Sequence, residues 1–181
     1  MRRLVALLIV LAIAFGAPYA AALINRLMGP WSAEAVEADG SRTHMQFGQD
    51  LPRPDWVPVY PGALVVQASK VVSAREPSGF HALDLATRAA LDEIKRFYTN
   101  RLMTAGFAVR DLGTWPSDAR SAAVLGLDAT LFARRAATDD QVDIQIRSPE
   151  GFAGTRLLQI HWRKISAAPP GSEPPAGAGG M

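Results

Sequence analysis

From Leu4 to Ile24 the chain carries no charged residue, and Arg2 and Arg3 stand directly before this apolar run. No other feature limits the chain as tightly. Arginines followed by an unbroken apolar segment read as an export signal or a membrane anchor, with the remainder lying outside the cytoplasm, periplasmic or otherwise extracytoplasmic in a bacterial envelope. In the export reading, Leu4 to Phe15 form the apolar region, Pro18 breaks the helix, and Ala20 and Ala22 supply a small-residue cleavage site. In the anchor reading the segment is retained, since about 20 apolar helical residues cross a bilayer, and Asn25 and Arg26 mark its far end. The weak hydropathy of Ala20-Ala21-Ala22 favours cleavage, the unbroken length favours anchoring, and the residues alone leave both open. A buried core helix does not match, because no polar face interrupts the run. The Arg2-Arg3 pair lacks the polar and aromatic context of twin-arginine export, which leaves ordinary secretion.

The chain contains no cysteine. Disulfides, thiolate metal sites, a cysteine nucleophile and a lipid-modified N-terminal cysteine are therefore excluded, and an exported domain must stand on its hydrophobic core. Nineteen Lys and Arg face 17 Asp and Glu, and Arg2 and Arg3 account for the whole excess. The chain beyond the leader is thus near neutral. The short basic pairs Arg134-Arg135 and Arg163-Lys164 form no basic stripe, so nucleic acid is not an expected partner.

Residues 25–50 are polar and without a clear period, which reads as a spacer; a hairpin from Val36 to Phe47 around Asp39-Gly40 is the alternative. Residues 166–181 are rich in Pro, Gly and Ala and have little to bury, the composition of a disordered tail. Residues 51–165 remain as one folded unit, long enough to stand without staples.

That unit opens with closely spaced prolines and a Pro61-Gly62 turn. Strands are expected over Leu64–Val72 and Phe80–Ala86. A helix is expected over 88–105, with Leu91, Ile94, Tyr98, Leu102 and Ala105 on one stripe, Thr87 as its cap and Gly106 as its stop. Further strands are expected over Phe107–Leu112, Asp128–Arg135, Gln141–Arg147 and Thr155–Lys164, with a short helix near 117–124 in the connection. In the last two, Val142, Ile144 and Ile146 alternate with Asp143, Gln145 and Arg147, and Leu158, Ile160 and Trp162 alternate with Gln159, His161 and Arg163. Such alternation marks a sheet with one dry and one wet face, an antiparallel habit. The predicted fold is α+β: a two-layer sandwich in the order β-β-α-β-β-β-β, mainly antiparallel, one helix over the dry face, plus an N-terminal apolar helix. No internal repeat is visible.

The Val57-Pro58-Val59-Tyr60-Pro61-Gly62-Ala63 entry, the hairpin after it, the helix with Ile94-Lys95-Arg96-Phe97-Tyr98 and Leu102, and the Ala105-Gly106-Phe107 stop resemble a bacterial envelope domain family of uncharacterised function with a Tyr-Pro-Gly-Ala entry turn. The resemblance spans about residues 52–164. It implies an exported or membrane-anchored domain with late strands, and transfers no catalytic residue.

Chemistry-bearing patterns are scarce. His81 shares a parity with Leu83 and Leu85, whereas His161 sits opposite Leu158, Ile160 and Trp162, so the two strand histidines fall on different faces and cannot readily share an ion. His44 lies in the spacer. Asp84, close to His81 in sequence, has the opposite parity. No G-x-S-x-G elbow, zinc-binding helix motif, calcium loop or phosphate-cradling glycine pattern occurs, so no cofactor and no metal is expected. What remains is surface: Gln145, Arg147, Gln159, His161 and Arg163 on the wet face, and Trp115 in the long Gly113–Gly126 connection, as contacts for a partner or ligand. The leading expectation is a non-enzymatic envelope module, in contact with the membrane through its N-terminus, that binds another envelope component. The alternatives are a carrier or sensor of a small apolar ligand held near Tyr98, Leu102 and Trp162, and a hydrolase needing His81 or His161 beside a carboxylate and a hydroxyl.

Overall fold

The computed structural model describes residues 17–73, 79–114, 126–149 and 154–164. The apolar run up to residue 16, Trp115, the segment 117–124 and the tail 166–181 lie outside the described residues. The chain runs through helix α1 (Ala17–Met28), strands β1 (Trp31–Val36), β2 (Arg42–Gly48), β3 (Leu64–Ser73) and β4 (Phe80–Thr87), helix α2 (Leu91–Thr104), and strands β5 (Ala108–Asp111), β6 (Leu127–Arg135), β7 (Asp140–Arg147) and β8 (Arg156–Lys164). The eight strands form one open sheet in the order β1-β2-β3-β4-β8-β7-β6-β5, every neighbouring pair antiparallel. The fold is α+β and dominated by this sheet.

Among the described residues the order helix then four strands occurs twice, and each set of four strands is a meander. The two meanders meet at the β4–β8 seam, where Leu83 faces Ile160 and Leu85 faces Leu158. This arrangement differs from the expected one in two respects. Residues 31–48, expected within a spacer, are built into the sheet as β1 and β2. Gly40, with φ of +81°, turns this hairpin, and Trp31 stacks on Phe47 across it with ring centroids 4.1 Å apart. The segment also escapes a period-2 reading because one row of β2 (Arg42, His44, Gln46) is exposed while the other (Thr43, Met45, Phe47) is only half-buried. The second difference concerns the N-terminal helix, expected to end at Ile24: α1 runs from Ala17 to Met28 and packs on β3 beyond the point where β2 ends. There Ala20 and Ala22 are buried, the Asn25 side chain donates to the Val66 carbonyl (3.0 Å), and Gln49 Nε2 donates to the carbonyls of Ala22 (2.7 Å) and Val65 (3.1 Å). Among the described residues no helix is long and apolar enough to cross a membrane.

The core lies between α2 and one face of the sheet. Ile94, Tyr98 and Leu102 pack over Leu83, Leu85, Leu131, Ile144, Ile146, Leu158 and Ile160, all at most 1% exposed. The helix begins three residues later than Thr87 alone suggests. Thr87 Oγ1 accepts from the Ala89 N–H (3.2 Å), which turns the chain out of β4, and the Glu93 carboxylate reaches back to the Ala90 N–H (3.4 Å) to cover the first turn. Gly106, with φ of +84°, ends it as expected for a left-handed stop. The proline-rich entry closes the core edge: Val57 is 2% exposed, Trp56 tilts onto Phe107, and Tyr98 donates its hydroxyl to the Pro58 carbonyl (3.2 Å).

Candidate binding face of the sheet

The registers of β4, β8, β7 and β6 set a grid of side chains on the face opposite α2. Asp84, Gln159, Gln145 and Thr130 form one row, and Ala82, His161, Asp143 and Phe132 the next. Phe80, Arg163, Gln141 and Arg134 form a third. Five of the six residues singled out in the sequence therefore share one surface, with Gln145 paired to Gln159 and Arg147 and Arg163 at its two ends. Trp115 lies outside the described residues. Among those residues, α1 borders one end of this face and α2 lies on the other side of the sheet.

The grid is wired in two groups. His161 Nδ1 lies 2.9 Å from Asp143 Oδ2, and the Phe80 ring leans on the imidazole at 5.2 Å. Next to it, Arg147 Nη2 donates to Gln145 Oε1 (2.7 Å), and Gln159 hydrogen-bonds Asp84. Burial holds the Asp84 carboxyl above the usual carboxylate range, while the Gln159 hydrogen bond and the charges of His161 and Arg147 only partly offset it. One oxygen of that carboxyl, Oδ1, and the Arg147 Nε–H are buried without a hydrogen-bond partner. An unmatched buried polar atom costs on the order of 1–3 kcal/mol, so these two are the most unsettled groups on the face.

Three clefts open along it. A cleft of about 370 Å³ lies at the α1 end, where Pro18, Ala21, Val66 and Leu157 wall in Asp84 and Arg147. One of about 470 Å³ lies towards β5, between Arg110, Leu112, Phe132, Asp143 and Gln145. A smaller one, about 210 Å³, surrounds His161 and Phe80.

His81 sits on the opposite face, stacked on Trp162 at 5.1 Å, apart from His161. His44 is exposed on β2 and pairs in register with Glu34. No group of His, Asp and Glu among the described residues could hold a metal ion. Among the described residues His161 has its carboxylate, while the hydroxyl in its row, Ser69, is two strands away, about 10 Å at ordinary strand spacing. Sequence reasoning missed Asp84 as a member of this face. Its parity with Gln159 and His161 was legible, but only the β4–β8 pairing brings them together, and no local pattern announces a pairing across such a separation. Phe80 and Arg110 were missed for the same reason.

No family model, no curated protein and no solved structure matches this chain.

Proposed function

We propose that the chain is a non-enzymatic module of the bacterial envelope that binds another envelope component through the β6-β7-β8 face opposite α2. One observation carries the reading: this broad face holds paired Gln, Asp, His and Arg side chains with Phe80 and Phe132 among them, and no described helix covers it. Mixed polar and aromatic groups around shallow clefts are the composition of protein-binding surfaces, which differ little from the rest of a protein in overall polarity. The envelope address rests on Arg2, Arg3 and the apolar run Leu4–Ile24, and the resemblance around Tyr60-Pro61-Gly62-Ala63 points the same way.

Between a retained and a cleaved leader, α1 supports retention. A cut after Ala22 would divide a helix whose Ala20 and Ala22 are buried and whose Ala22 carbonyl accepts from Gln49. The apolar-ligand alternative between helix and sheet draws no support, because Tyr98 and Leu102 are 1% exposed in a packed core. The hydrolase alternative finds no hydroxyl beside His161 among the described residues.

The test is site-specific photocrosslinking in cells, with a photoreactive residue at Gln145 or Arg163 and, as control, at Asp92 on the exposed side of α2. A single discrete adduct from the sheet face, absent from the α2 position, supports the reading. Identical patterns from both faces would end it. Intact-mass measurement of the membrane fraction reports whether residues 1–24 are retained.

A further inference from the structure

Among the described residues, the exposed large apolar side chains Phe80, Met103 and Leu112 stand apart from one another, on β4, on α2 and just after β5. Leu27, Met28 and Trp31 instead fall within five positions of the chain, and they are 69%, 64% and 45% exposed. Gly29, with φ of +69°, ends α1, and exposed Pro30 leads into β1. The three side chains thus form an apolar knob at the corner between the helix and the β1–β2 hairpin. The corner is held from behind. The Phe47 ring backs the Trp31 indole at 4.1 Å, and Pro30 lies so close over Gly48 that a side chain there would touch it. Leu23 and Ile24, one turn back on the Leu27 side of α1, are half-buried. Single exposed apolar residues are ordinary, whereas several side by side mark a surface that something covers.

We propose that this knob seats in the headgroup region of a lipid bilayer, with Leu27, Met28 and Trp31 towards the acyl chains and Arg26 at the level of the phosphates. From Leu4 to Ala33 the chain holds no Asp or Glu, and its one charge is Arg26. Aliphatic side chains, a Trp and a cation are the composition of segments that lie in the membrane interface. The apolar run also enters α1 at Ala17 with no spacer between them. Because α1 has 12 residues, the knob lies within about 17 Å of that entry. Pro18, Ala20 and Ala22 are buried in the domain, which leaves residues 4–16 of the run ahead of α1. Even fully helical, that remainder would measure about 20 Å against a hydrocarbon core of about 30 Å, so it holds the start of α1 at the lipid boundary. Asp50 shares the cleft behind the knob with Arg26, so little net charge is left to attract anionic lipid and apolar burial supplies the contact. This inference rests on the envelope address and not on the β6-β7-β8 face; it adds which surface the domain turns towards the membrane.

The chain has no cysteine, so single-cysteine variants of the full chain can each carry one nitroxide label in vesicles of phosphatidylethanolamine and phosphatidylglycerol. Leu27→Cys and Met28→Cys report on the knob. Val36→Cys and Met103→Cys, similarly exposed on other surfaces, are the controls. Leu11→Cys reports whether the apolar run is in lipid. Electron paramagnetic resonance power saturation compares access of oxygen, which concentrates in lipid, with access of a water-soluble nickel chelate. The ratio of oxygen to nickel access at Leu27 and Met28 should be roughly five-fold or more above that at Val36 and Met103. Nickel access at the knob equal to the controls, with Leu11 in lipid, overturns this inference alone and leaves the envelope address standing. Nickel access at every position, Leu11 included, overturns both. Shielding of Leu27 and Met28 from both reagents, as a second copy of the chain seated on the knob would give, also overturns it.

Discussion

His161 and Asp143 face each other across β8 and β7, with the imidazole Nδ1 2.9 Å from the carboxylate Oδ2 and both side chains less than a third exposed. Their backbones are register partners, so the contact arises from strand pairing and requires no loop to form. A pair of this exposure belongs near the upper end of the range for surface ion pairs and hydrogen bonds. A double-mutant cycle with His161→Ala and Asp143→Ala should therefore show a coupling of about 1 kcal/mol by urea unfolding. A coupling indistinguishable from zero would mean that the two side chains do not hold each other in solution.

Asp84 gives the fold an inverted dependence on pH. Burial raises its carboxyl above the unfolded value, so between the two values the folded state binds more protons than the unfolded one. Its contribution is then fully present below the unfolded value and is lost as pH rises through the folded one. Asp140 works in the opposite sense. Burial alone would raise its carboxyl, but hydrogen bonds from Thr138 and Arg135 and the charges of Arg135 and Lys164 outweigh this and hold it low. Its contribution is present above the unfolded value and lost as pH falls through the folded one. Stability measured by urea at a series of pH values should thus rise for Asp84→Asn relative to the native chain at neutral pH, with the gain disappearing in acid. Asp140→Asn should lose stability at neutral pH and approach the native chain in acid. The two difference curves have opposite slopes, and equal slopes would contradict the assignment.

What the sequence disclosed and what it concealed divide along one physical line. Patterns set by nearest neighbours were legible. The period-2 rows Val142-Ile144-Ile146 and Leu158-Ile160-Trp162 are buried as written, and the stripe Ile94-Tyr98-Leu102 forms the helix face that closes the core. Gln145, Gln159 and His161 fell together because their strands follow one another in the chain and pair directly. Two kinds of feature stayed hidden. The β4–β8 pairing joins residues 69 to 83 positions apart, and only that pairing brings Asp84 to Gln159. In the hairpin of β1 and β2, β1 is exposed except at Ala33 and β2 has one exposed and one half-buried row, so the sequence lacks the sharp contrast that burial imposes on central strands. The helix α1 was concealed by its own composition, since a row of alanines can lie against a sheet edge or continue an apolar leader without changing a residue.

Arg135 ties three parts of the chain together. Its guanidinium lies over the Phe107 ring (4.9 Å) and near the Trp56 ring (5.7 Å), donates to the Ala105 carbonyl at the end of α2 (3.2 Å), and pairs with Asp140. The planar fork makes these contacts at once, which an ammonium cannot. Arg135→Ala should cost about 2–3 kcal/mol, from the loss of a charged hydrogen bond to a helix end, the ion pair and the stacking. Arg135→Lys should recover less than half of that cost, because it keeps the charge and loses the stacking plane. If lysine restores full stability, the contribution is electrostatic alone.

The fate of α1 decides between a cleaved leader and a retained one. Ala20 and Ala22 are 7% and 3% exposed, and Gln49 donates to the Ala22 carbonyl at 2.7 Å while also covering Val65 at the bare edge of β3. That edge of β3 is bare because β2 has already ended at Gly48, opposite Ala68, so α1 stands where a paired strand is missing. A chain beginning at Asn25 loses buried Pro18, two buried alanine methyl groups and the Gln49–Ala22 hydrogen bond. The methyl groups, at about 0.8 kcal/mol per buried carbon, and the bond, at about 1 kcal/mol, already make it unfold at least about 2–3 kcal/mol more easily than a chain beginning at Ala17. Its amide protons in Leu64–Gln67 should also exchange faster with solvent, while those of β8 remain protected. Gln49→Ala in the longer chain should reproduce about half of the loss without removing the helix. Equal stabilities for the two lengths would show that α1 is not part of the folded unit, and cleavage after Ala22 would then leave the domain intact.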